Sequence, residues 1–177
     1  MIDSNIKIGV VGLGYVGLPL AVEFSKIFDV VGFDISKERI DGLVKNHDET
    51  LMVSKKQLLN FNGMFSTKEK DLSGCNIYIV TVPTPIDQGN KPNFNPLISA
   101  SEIISNFLSK NDIVVYESTV YPGLTEDLCV KVIEKTSGLK WKKEFNVGYS
   151  PERVSPGDEL KTIEKINKII SADTIDT

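Results

Sequence analysis

An apolar run from Ile6 to Val11 leads directly into Gly12-Leu13-Gly14-Tyr15-Val16-Gly17, and a second apolar run ends at Asp34. Glycine turns off a strand restrict a fold more than any composition does. Gly12 permits the tight turn, Gly14 lets the backbone come close to a pyrophosphate, and Gly17 lets the following helix lie against a sheet. A helix starting near Tyr15 aims its free N–H groups and positive dipole end at that anion. Asp34 stands 20 residues after Gly14, where a carboxylate accepts hydrogen bonds from ribose hydroxyls and repels a 2′-phosphate. The pattern implies NAD rather than NADP. Arg39 complicates that choice without reversing it, because a nearby guanidinium can accommodate a 2′-phosphate or simply stack on adenine. A glycine turn that holds no ligand is the alternative reading of the triplet.

Strand and helix patterns alternate along the whole chain. Ile6–Val11, Val30–Asp34, Met64–Thr67, Ile77–Val82, Ile113–Glu117 and Phe145–Tyr149 are short β-branched or aromatic runs bounded by turn residues. Helical spacing covers Tyr15–Ile27, Ser36–Lys45, Asn95–Leu108 and Gly123–Thr136. Ser36 fits an N-cap, Pro96 fits a helix start, and Lys55–Leu59 reads as a short helix in an otherwise uninformative stretch. Near the end, Glu159–Lys165 has a helical pattern and Lys168–Ser171 a strand-like one. The expected fold class is α/β: a Rossmann-type, doubly wound, mostly parallel sheet in a single three-layer domain.

A chain of 177 residues can bury one substantial core but not two full domains. Its 20 basic and 24 acidic residues give a net charge of −4 with no long run of either sign, so neither a nucleic-acid nor a membrane partner is expected. The opening Met1-Ile2-Asp3-Ser4-Asn5 lacks the basic region of a signal peptide, and no apolar stretch is long enough to span a membrane. Cys75 and Cys129 stand far apart, as expected of free thiols in a reducing cytoplasm. His47 is the single histidine, which leaves little material for a metal site.

Three further segments carry chemistry. The fourth strand ends in Thr81-Val82-Pro83-Thr84-Pro85, where a doubly wound sheet opens its ligand crevice; the Thr84 hydroxyl can bond a cofactor, or the segment is simply a proline-rich turn. The fifth ends in Glu117-Ser118-Thr119-Val120-Tyr121-Pro122-Gly123, whose hydroxyls either lie near a nicotinamide or cap the next helix. The sixth runs into Tyr149-Ser150-Pro151-Glu152-Arg153-Val154-Ser155-Pro156-Gly157-Asp158, where Glu152 can act as acid or base and Arg153 can bind an anion, unless the two form a surface ion pair.

Taken in this order, the segments resemble the UDP-sugar dehydrogenases, which oxidise the C6 hydroxyl of a nucleotide sugar to a carboxylate with two NAD. The resemblance runs from Ile6 to about Ser171. Arg153 after Glu152, with Pro156 where a second acid would otherwise fall, resembles the branch that handles UDP-N-acetylhexosamines. The resemblance implies that Tyr15 and Val16 meet the pyrophosphate through their N–H groups and that Asp34 and Arg39 hold the adenosine end. It also implies that Val82, Pro83, Thr84, Ser118 and Thr119 contact the cofactor, with Thr119 close to the reacting carbon. Glu152 would help activate the hydrolytic water, and Arg153 and Val154 would touch the UDP-sugar.

The family's nucleophilic cysteine belongs to a Gly-Gly-x-Cys segment, which neither Cys75 nor Cys129 matches. Its catalytic lysine and asparagine, dimerisation helix and UDP-binding domain would also follow Thr177. The chain is therefore expected to be the cofactor half of a longer, homodimeric or larger dehydrogenase serving surface polysaccharide or capsule precursors in the cytoplasm, and to be inactive alone. A β-hydroxyacid dehydrogenase cofactor domain and a stand-alone NAD-sensing module are the competing readings.

Overall fold

The computed structural model describes residues 5–152, 167–175 and 177. Five strands, β1 (Lys7–Val11), β2 (Asp29–Phe33), β3 (Gly63–Ser66), β4 (Ile77–Val80) and β5 (Asp112–Tyr116), are followed by β6 (Phe145–Tyr149) and a two-residue β7 (Ser171–Ala172). They form one sheet in the order β3-β2-β1-β4-β5-β6-β7, parallel throughout except for β7. Strand order therefore reverses between β1 and β4, the switch point at which doubly wound sheets open a crevice.

Alternation along the strands sends side chains into two cores, one on each face. Ile8 and Val10 of β1 and Ile79 of β4 pack with Leu18, Ala21 and Val22 of α1 (Gly17–Phe24) and with Ile40 and Leu43 of α2 (Lys37–Val44). Val11, Tyr78, Val80, Val114 and Tyr116 face the other way. They meet Leu97, Ala100 and Ile104 of α4 (Asn95–Ser105) and Ile133 of α5 (Lys131–Ser137). A strand buried on both faces has no polar alternation to show, which is why these runs read as continuous apolar stretches.

Local signals set the helix ends. The Ser36 hydroxyl accepts the Arg39 N–H at 3.1 Å and caps α2, and Ser54 with Gln57 forms a capping box at α3 (Lys55–Leu59). Helix α1 is shorter than its apolar spacing suggested, because Tyr15 and Val16 belong to the glycine loop. The segment expected as one helix over Gly123–Thr136 opens with a π-helical stretch, Thr125–Val130, before α5. That wider winding buries Thr125 together with Cys129 and Val130, residues four and five positions on.

The strand-like run expected at Lys168–Ser171 is displaced to Ser171–Ala172 and runs antiparallel to β6. Asp173 sets that register. Its N–H donates to the Val147 carbonyl at 3.2 Å, and its carboxylate accepts the Trp141 Nε1–H at 2.6 Å and the Val147 N–H at 2.7 Å. The helical pattern at 159–165 lies outside the described residues.

Candidate cofactor site

At the carboxyl ends of β1, β4 and β5 the sheet opens a crevice of about 530 Å³. Gly12, Gly14, Tyr15, Val16 and Asp34 line one wall; Val82, Pro83, Thr84, Ser118, Thr119 and Glu152 line the other. All eleven are residues that the sequence singled out, from segments up to 140 positions apart. Gly17 and Arg39 stand behind the first wall, and Arg153 and Val154 lie outside the described residues. A hollow of about 580 Å³ at the opposite end of the strands, lined by Lys7, Asp29 and Met64 among others, has no part of this constellation.

The glycine loop fits a dinucleotide. Gly12 has φ +94°, and a Cβ there would press on the Thr81 carbonyl at 3.2 Å. A Cβ on Gly17 would lie 1.8 Å from the Gly12 carbonyl oxygen and 2.3 Å from Thr81 Oγ1, so only glycine lets α1 start this close to the loop. Gly14 is the opposite case. A Cβ there would meet nothing within 4 Å, on a residue that lines the crevice. Val16, the N-cap residue of α1, makes no side-chain cap, and the Leu18 N–H donates to the Gly14 carbonyl at 3.3 Å, so an anion at this helix start would be met by the N–H groups of the loop itself.

One residue of the loop is gripped at both ends of its backbone. The Leu13 N–H donates to the Asp34 carboxylate at 2.8 Å, and the Leu13 carbonyl accepts the Arg39 Nε–H at 2.8 Å. Asp34 also accepts the Ser36 N–H at 2.9 Å. Two N–H bonds leave a carboxylate with capacity for two more donors, so Asp34 can shape the loop and still take ribose hydroxyls. Arg39 is placed differently from the sequence expectation: its side chain is 6% exposed, and its guanidinium pairs with Asp48 at 2.7 Å rather than projecting into the crevice. Asp48, 1% exposed, is held in turn by the N–H groups of Thr50 at 3.0 Å and Val53 at 2.9 Å. These bonds hold the Asp48 carboxyl below its ordinary value against the opposing effect of burial. Nothing in the sequence pattern pointed to Asp48, because a buried ion pair leaves no apolar periodicity.

The second wall is tied largely by neutral hydrogen bonds. The Ser118 hydroxyl donates to the Val82 carbonyl at 2.6 Å, and the Thr84 hydroxyl donates to the Thr119 carbonyl at 2.9 Å. Neither Ser118 nor Thr119 caps the next helical segment, which starts behind Leu124 with no side-chain cap. Thr81, which carried no role in the sequence reading, donates its hydroxyl to the Gly12 carbonyl at 2.6 Å and so joins the two walls. Glu117 also lines the crevice, buried, with its carboxylate on the Lys168 ammonium across 51 positions of sequence. Burial pushes the Glu117 carboxyl above its ordinary value, with a smaller push from Glu152 and an opposing pull from Lys168.

A seven-stranded sheet with this order, a glycine-lined crevice at its switch point and an acidic residue closing β2 defines a Rossmann-type dinucleotide-binding domain. The chain matches the UDP-glucose/GDP-mannose dehydrogenase family, NAD binding domain, over residues 6–175, and belongs to that family. A UDP-N-acetyl-D-glucosamine 6-dehydrogenase of Pseudomonas aeruginosa is 52% identical over 97% of this chain and 41% of its own length. Protein CapL of Staphylococcus aureus is 50% identical over the same shares. A UDP-D-ManNAc dehydrogenase structure from Pyrococcus horikoshii superposes with a TM-score of 0.83 at 31% identity, covering 94% of this chain and 41% of that one. The chain thus spans about two fifths of the length of these relatives. Its cofactor is NAD.

Proposed function

We propose that this chain is the NAD-binding half of a UDP-N-acetylhexosamine 6-dehydrogenase, which oxidises the C6 hydroxyl of the sugar to a carboxylate with two NAD. The observation that carries the reading is that Thr119 and Glu152, at the ends of different strands, line the same crevice as the glycine loop. The relatives named for UDP-N-acetylglucosamine and UDP-N-acetylmannosamine dehydrogenation support the substrate class.

Bound NAD would supply the electron acceptor. The N–H groups of Tyr15 and Val16 would bind its pyrophosphate, Asp34 would take the adenosine ribose hydroxyls, and Thr84 and Thr119 would border the nicotinamide. Thr119 and Glu152 would then hold the water that hydrolyses an acyl-enzyme. Arg153 and Val154 would meet the nucleotide sugar. The nucleophile would come from a Gly-Gly-x-Cys segment in the longer protein. Cys75 and Cys129 are poor substitutes, because both are buried and burial pushes their thiols up, that of Cys75 to about 11. The parent would be a homodimer or larger acting in the cytoplasm on polysaccharide or capsule precursors; the relative named Protein CapL supports the capsule part of that reading alone.

Absorbance at 340 nm tests the proposal. The longer protein should form two NADH per UDP-N-acetylhexosamine, and residues 1–177 alone should form none. Turnover by the chain alone, or a longer protein inert towards UDP-N-acetylhexosamines but active on a hydroxyacid, would overturn it.

A further inference from the structure

Asp34 is one barrier to NADP; the structure contains a second. A guanidinium just after the acidic end of the second strand is the natural cation for a 2′-phosphate, and Arg39 is the third residue of α2. All three of its nitrogens are committed elsewhere. Nε donates to the Leu13 carbonyl at 2.8 Å, one terminal nitrogen to Asp48 at 2.7 Å, and the other reaches Thr50 Oγ1 at 3.5 Å. Asp48 does not depend on Arg39 for its position. The N–H groups of Thr50 and Val53 and the Thr50 hydroxyl, the last at 2.7 Å, fix the carboxylate from its own loop. That loop is shaped by Asn46 at φ 58° and Leu51 at φ 57°. The arginine is therefore drawn to a prebuilt buried anion, with the exposed Glu49 carboxylate 3.9 Å away adding to the pull.

We propose that Asp48 is a determinant of cofactor preference: by holding Arg39 inward against the glycine loop, it withholds the guanidinium from the 2′-phosphate that distinguishes NADP from NAD. Releasing Arg39 would leave the buried Asp48 charge without its cation, so a phosphate at the rim, still well hydrated, competes poorly for the guanidinium. Arg39 thus positions the Leu13 carbonyl and takes no part in reading the 2′-position. The inference rests on the NAD-binding reading of this crevice.

Calorimetric titrations with NAD and with NADP test it on the 177-residue chain, on Asp48→Asn and on Asp48→Asn combined with Arg39→Gln, each checked for folding by its thermal melt. The wild type should favour NAD. Asp48→Asn should move the NADP-to-NAD affinity ratio towards NADP by about tenfold, with a steeper salt dependence for NADP as a freed charge meets a phosphate. Adding Arg39→Gln should erase that shift. A purely structural role for Asp48 would weaken both nucleotides alike and leave the ratio unmoved, which would overturn the proposal. Arg39→Gln alone gives a second reading should Asp48→Asn not fold: the ratio should stay within about twofold of wild type. A selective loss of NADP affinity in that variant would show that Arg39 already reads the phosphate, and would also overturn the proposal. Wild-type protein that binds neither nucleotide would sink the NAD-binding reading together with this inference; wild-type NAD binding with an unmoved ratio would sink only the inference.

Discussion

The two walls of the crevice are built by different physics. The glycine-loop wall is held by charge: Asp34 and Arg39 clamp the Leu13 backbone, and buried Asp48 locks Arg39. The opposite wall is held mainly by hydroxyl-to-carbonyl bonds, Ser118 to Val82 and Thr84 to Thr119, made by loops that leave Pro83 and Thr119 exposed, and by one ion pair, Glu117 with Lys168. Charge-assisted bonds in a buried setting are roughly twice as strong as neutral ones. The glycine-loop wall is thus the stiffer at its backbone, while the hydroxyl-tied loops opposite can adjust.

The largest way to break this contrast is Gly17→Ala. The new Cβ would collide with backbone at 1.8 Å, so a loss of about 4 kcal/mol or more in urea unfolding is expected. Asp48→Ala comes next. It leaves the Arg39 charge buried, with the exposed Glu49 carboxylate 3.9 Å away, and breaking such a pair costs roughly 3 kcal/mol. A denaturation midpoint within error of wild type would show that the ionic clamp contributes nothing.

Acid and base titration of stability should separate the walls by sign. The Asp48 carboxyl is lowered in the fold, so its contribution is present above the ordinary value of 3.8 and is lost as pH falls through the folded value. Glu117, on the second wall, is raised. Folding favours its protonated form, so its contribution is greatest below the ordinary value of 4.5 and is lost as pH rises through the folded value. Urea unfolding from pH 3 to 8 should therefore show Asp48→Asn flattening the acid limb and Glu117→Gln raising stability at neutral pH relative to wild type. The same sign for both would remove the distinction. The smallest effect is expected for Thr84→Val and Ser118→Ala, about 1 kcal/mol each, read in the same unfolding experiment.

How much of this was legible in the sequence follows the same division. The glycine triplet, Asp34, the Ser36 cap and the apolar strands each have a local signature, so the sheet and the glycine-loop wall could be read from spacing and turn chemistry, while the residues of the second wall were named largely through the family resemblance. Arg39 was legible as a charge near the second strand, but not as a buried one. Its partner lies nine positions on, in a stretch without periodicity, and two positive-φ residues fold that stretch back. Glu117 and Lys168 are separated by 51 positions, and no pattern in either segment announces the other. The π-helical winding at Thr125–Val130 escaped as well, because its apolar spacing reads as an ordinary helix.

The central claim is that this chain carries a preassembled glycine-loop wall that binds NAD by close backbone approach. Gly14→Ala tests it most directly, because a Cβ there meets no protein atom within 4 Å on a residue that lines the crevice. In a calorimetric titration the wild-type chain should bind one NAD. Gly14→Ala should bind it at least about tenfold more weakly, a difference of ~1.4 kcal/mol, with an unchanged melting temperature. Equal NAD affinity in the two proteins would contradict the account.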